Sequence, residues 1–99
     1  MLAKNPLDLI KGESLSTEGV AQAIRLAIIG ELDAINLYLQ LAEVISDGRV
    51  REVLKDIAEE EKVHVGELLE VLKMIDEEQS KALIKGREEV RELIGGGSR

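Results

Sequence analysis

Between Thr17 and Ile45 the apolar residues fall on two faces of a helix, and this double placement constrains the fold more than any other feature of the chain. At about 100° per residue, Ile24, Ala27, Ile28, Ile35, Ala42 and Ile45 share one side, while Leu26, Ile29, Leu37 and Val44 lie roughly opposite. One partner helix can cover only one such stripe. A helix that is apolar on most sides is buried on most sides, and 99 residues hold too little material to do that alone. The chain is therefore expected to associate with copies of itself.

The rest of the sequence divides around that helix. After a lead-in containing Pro6, Ser16 or Thr17 can cap its start, and the apolar pattern runs to about Ile45. "SDGR" then stops it, with Gly48 suited to a left-handed helix end and Asp47 able to cap a second helix from about Arg49 to Ile75. A weaker third helix, broken near Gly86, spans about Glu77 to Ile94, and residues 95–99, "GGGSR", form a flexible tail to a helical domain of residues 1–94. With no cysteine and Tyr38 as the only aromatic residue, the core must come from Leu, Ile, Val and Ala, which favours an all-α fold. Glycine inside a helix costs about 1 kcal/mol, so Gly30 and Gly66 fit places where two backbones approach closely.

A formal charge of −7, from 20 acidic and 13 basic residues, disfavours nucleic acid and anionic membrane and draws cations instead. No apolar run nears the ~18 residues of a membrane span. "MLAKNPLDLIKGES" is too polar for a secretory signal, and a cytoplasmic protein is expected.

Three polar residues interrupt the apolar stripes. Glu31 falls in the middle of Ile24, Ile28, Ile35 and Ala42, with Tyr38 beside the same stripe two turns on; Glu61 and His64 fall inside Val53, Ile57, Leu68, Leu72 and Ile75. Burying a carboxylate without a partner costs several kcal/mol, which a small domain cannot spare. Counted from Asp47 in the turn, Glu31 lies 16 residues back, Glu61 14 ahead and His64 17 ahead, so an antiparallel hairpin brings all three to one level. Two carboxylates and an imidazole there make a cation site suited to iron, manganese or zinc. Tyr38 can hydrogen-bond a ligand carboxylate, donate an electron, or simply pack at an interface. Asp33 lies off the stripe and reads as a solvated acid. Di-iron carboxylate bundles take one Glu from each of two helices and a Glu-x-x-His from each of two more. A two-fold dimer of this chain would supply that set, forming a four-helix bundle, and the requirement agrees with the double-faced first helix.

"GELDAINLY", followed 30 residues on from its Glu by "EEKVH", resembles the paired motifs of the encapsulated ferritins, short members of the ferritin-like superfamily carried inside encapsulin shells; the likeness covers about Ser16 to Met74. The resemblance implies a ferroxidase: two iron ions at a dimer interface, Fe(II) oxidised by oxygen, dimers assembled into a ring, and a location inside an encapsulin nanocompartment in the cytoplasm. By motif, Glu31, Glu61 and His64 match the iron ligands, and Tyr38 the tyrosine beside the site. The family pattern also has an acid just before the ligand glutamate, a glutamate two residues after it and a tryptophan before the tyrosine, where this chain has Gly30, Asp33 and Leu37. No shell-docking peptide is evident after "GGGSR", which fits a truncated chain or one end of a longer fusion to the shell. Two other readings share the same residues. One is a rubrerythrin-like peroxide reductase, which normally relays electrons through a four-cysteine iron site; the other is a non-enzymatic helical assembly module stabilised by metal.

Overall fold

The computed structural model describes residues 15–96, and the lead-in with Pro6 and residues 97–99 of the tail lie outside that range. Three helices make up the described chain: α1 (Thr17–Val44), α2 (Gly48–Ile75) and α3 (Glu77–Ile94). The fold is all-α, with α1 and α2 forming an antiparallel hairpin and α3 extending from its open end.

Local chemistry explains the boundaries. The Ser16 side chain accepts a hydrogen bond from the Gly19 amide at 3.0 Å and opens α1. Asp47 opens α2 by accepting from the amides of Arg49 and Val50. The turn differs from the expected one: Ile45, extended at φ −89° and ψ 128°, ends α1, and Gly48 is the first residue of α2 rather than a left-handed cap. The only positive φ among the described residues is 80° at Gly96, which closes α3. That helix is also continuous through Gly86, correcting the expected break. A helical glycine costs about 1 kcal/mol, and the Asp76 cap together with the Glu77–Lys81 pair at 3.3 Å offsets a cost of that size.

Asp47 makes the start of α2 sensitive to acid. Its side-chain hydrogen bond from Arg49, followed by the backbone amides of Arg49 and Val50, holds its carboxyl below the ordinary value of 3.8. A carboxyl lowered in the folded state contributes stability above its unfolded pKa and loses it as pH falls through the folded one. Asp47→Asn keeps a capping oxygen but does not titrate. The parent is thus expected to melt above this variant at pH 6, with the gap narrowing as pH falls below 3.8. A gap of constant size in thermal melts would contradict this origin.

The hairpin is only half of a core. Among the described residues just Ala21, Ala42, Ala58 and Leu72 are buried, and three of the four are alanine. The second face of α1 stands open, with Ile29, Leu37 and Val44 at 54%, 51% and 79% exposure. A compact chain of 10.9 kDa exposes about 5,600 Å², whereas this one exposes 7738 Å². The radius of gyration is 17.7 Å, against about 13 Å for a compact domain of 100 residues. A Cβ placed on Gly30 or Gly66 would meet nothing within 4 Å, so no close backbone approach involves them within one chain.

One residue joins α2 to α3. Asp76 ends α2 by donating its amide to Leu72 O, and its carboxylate caps α3 by accepting from the Gln79 amide at 2.9 Å. Arg25 of α1 reaches this joint, pairing with the Asp76 carboxylate and donating from Nε to Gln79 Oε1 at 3.2 Å.

Candidate metal centre

The two long helices bring Glu31, Glu61 and His64 together. Helical spacing of three residues puts Glu61 and His64 on one face of α2, and the short turn sets Glu31 of α1 opposite them. His64 Nδ1 lies 3.5 Å from Glu61 Oε2 and 3.7 Å from Glu31 Oε2. One ligand atom from each residue falls within 4.8 Å of the others, the one such acid and histidine group among the described residues.

Those separations have a chemical meaning. Ligands about 2.0–2.2 Å from a metal stand roughly 3–3.6 Å from each other, so the His64 nitrogen is spaced from each glutamate oxygen about as neighbouring ligands of one cation are, at or beyond the limit for a hydrogen bond. The nitrogen and carboxylate oxygens suit iron, manganese or zinc. Glu31 and Glu61 keep 26% and 19% of their side chains exposed and His64 keeps 46%, so the group is open to solvent within one chain. Three side chains do not complete the coordination of even one six-coordinate ion.

Within one chain, neither of the remaining candidates makes a hydrogen bond or ion pair with this group. Tyr38 is half-buried on α1, and its hydroxyl makes no hydrogen bond among the described residues. Asp33 is exposed, in keeping with its position off the stripe. What sequence reasoning missed is the polar joint of Arg25, Asp76 and Gln79, whose partners are 51 and 54 residues apart.

The rubrerythrin family model matches residues 22–94, which contain the triad and all of α2 and α3. The chain belongs to this ferritin-like family. As such it is 47% identical over 95 residues to the ferritin-like–encapsulin shell fusion protein of Pyrococcus furiosus, a match covering 96% of this chain and 28% of that protein. The ferritin-like chain therefore spans little more than a quarter of that relative's length. The encapsulin nanocompartment cargo protein EncC of Myxococcus xanthus is 29% identical over 94 residues, covering 95% of this chain and 72% of EncC. In three dimensions the chain is similar to the crystal structure of the encapsulated ferritin domain from P. furiosus, with a TM-score of 0.83 and 45% identity over 99% of this chain and 100% of that one. The resemblance to encapsulated ferritins is thereby borne out, and this member of the family has a ferritin-like helical domain. No helix among the described residues is long and apolar enough to cross a membrane.

Proposed function

We propose that this chain is a ferroxidase whose di-iron site forms between two copies, with Fe(II) as substrate and oxygen as oxidant. The observation that carries the proposal is the convergence of Glu31, Glu61 and His64 from two helices at the spacing of metal ligands. Two copies related by a two-fold axis double that set to four carboxylates and two imidazoles, the complement of a di-iron carboxylate bundle. Each His64 would bind one iron end-on through nitrogen. The glutamates would bind or bridge, since a carboxylate can shift between one and two contacts and so follow the rise in charge when Fe(II) becomes Fe(III). Tyr38, two turns from Glu31, would hydrogen-bond a ligand carboxylate or supply an electron. The open face of α1 lies opposite Glu31 and would be covered by further contacts as dimers go on to form a larger ring.

The cargo and shell-fusion names of the relatives support placing the chain in an encapsulin shell, in the cytoplasm, where the ferric product would be stored. The domain is proposed to comprise residues 1–94, with 95–99 as a tail. The family match also favours a second reading, in which peroxide replaces oxygen and an external donor returns the electrons, because this chain has no cysteine for a four-cysteine iron site.

Oxygen and peroxide consumption during anaerobically prepared Fe(II) additions tests both readings. A fast phase of oxygen uptake that corresponds to one iron per chain, hence two per pair, followed by slower turnover, is the expected result. Turnover with peroxide alone would favour the second reading. A monomer binding two irons would overturn the shared site.

A further inference from the structure

Among the described residues, α3 is sparsely packed against the hairpin. Its backbone approaches α2 but not α1, none of its residues is buried, and it hangs from a single non-helical residue, Asp76, at φ −132° and ψ 94°. Two dihedral angles thus aim the whole helix. Eighteen residues at 1.5 Å each put its far end about 27 Å away, so a swing of 20° at the joint would carry Ile94 roughly 9 Å. No fully buried side chain among the described residues of α3 opposes such a swing.

Arg25 does. Its planar guanidinium takes one acceptor on the joint itself, the Asp76 carboxylate, and a second on the first turn of α3, Gln79 Oε1. One acceptor on the pivot and one beyond it, held from a third helix, fix an angle that one contact would leave free. The Arg25–Asp76 pair is partly shielded, with 42% and 22% of the side chains exposed, and a charge-assisted bond is about twice as strong as a neutral one. Asp76 is meanwhile bound to the Gln79 amide as a cap, so the carboxylate cannot follow Arg25 freely. We infer that Arg25 is a positioning residue that locks α3 at a fixed angle to the hairpin through Asp76 and Gln79. Leu83, Val90 and Leu93, at 37%, 52% and 59% exposure, ride on α3 and are aimed by the same clamp.

The chain has no cysteine, so Gln40→Cys and Arg87→Cys, both at exposed positions, allow one spin label on α1 and one on α3. Diluting labelled protein with unlabelled chain restricts pulsed electron paramagnetic resonance to distances within one chain. The parent should give one narrow distribution. Arg25→Gln and Asp76→Asn should each at least double its width with helix content unchanged, since Asn still caps α3. The double variant should be no broader than either single one, because both remove the same contact. An unbroadened distribution in folded Arg25→Gln would overturn the inference, as would additive broadening in the double variant. Should Arg25→Gln fail to fold, Asp76→Asn decides by the same criterion. Resting on the self-association proposed above, the clamp should also narrow the range of assembly sizes, so Arg25→Gln should spread it in native mass spectrometry. A loosened α3 with the parent's assembly would overturn that link alone and leave self-association standing.

Discussion

Replacing Glu31, Glu61 or His64 by alanine, one at a time, is expected to reduce rapid Fe(II) oxidation to the rate of iron in buffer. In the shared site proposed above, each substitution would remove two ligands. Loss of a residue that merely supports a ligand costs about 10–100-fold in metal affinity or activity, so loss of the ligands themselves should exceed about 100-fold. The apo protein need not suffer. Glu31 and Glu61 are largely shielded and face His64 across 3.7 and 3.5 Å, and exchanging a shielded charge for a small apolar group is often neutral or stabilising once nothing needs the charge. Stopped-flow oxidation beside far-UV circular dichroism separates the two effects. Three variants that remain helical and oxidise iron at the parent rate would place the site elsewhere.

The melting midpoint should rise with protein concentration, and Fe(II) should raise it further. Four buried residues, three of them alanine, cannot hold a hairpin of two 28-residue helices by themselves. On the self-association proposed above, most of the stabilisation comes from surface buried between copies, and the stability of such a chain is inseparable from its concentration. A tenfold increase in concentration is worth about 1.4 kcal/mol for a dimer, or about 3–5 °C in the midpoint at this size. A shared metal site adds its own binding free energy to the assembled state only, so iron titration should drive small species toward larger ones in sedimentation. A midpoint that is independent of concentration, in a species that sediments as a monomer, would contradict both expectations.

The triad was legible in the sequence because two rigid periods meet across a short turn. Once Asp47 marks the turn, helical geometry leaves little freedom in where Glu31, Glu61 and His64 lie. The open face of α1 was legible for the same reason, since Ile29, Leu37 and Val44 sit opposite the stripe that α2 covers. Gly48 and Gly86 misled because glycine was read as a helix end. Its cost of about 1 kcal/mol decides an end only where caps and ion pairs do not outweigh it. At Gly48 the Asp47 cap reaches over the glycine, and at Gly86 the helix already has a cap at Asp76 and an ion pair in its first turn. Arg25 left no periodic signal at all. Its contact depends on how far a long side chain reaches beyond its own level of the hairpin, which spacing does not encode. Tyr38 shows the same limit: periodicity gives its face of the helix but no partner for its hydroxyl.

The hairpin also acts as a ruler. Sixteen residues of α1 and its exit separate Glu31 from Asp47, and 14 separate Asp47 from Glu61, so the turn lies about 20–24 Å from the triad. Adding one residue within either helical arm would turn its ligand by about 100° away from the other arm, scrambling the centre though no ligand had changed. Adding residues at Ser46–Asp47 would lengthen only the loop and leave both arms in phase. Length variation in a chain built this way is therefore confined to its tip, and the interval of 30 residues from Glu31 to Glu61 is free to grow at the turn but not along the helices.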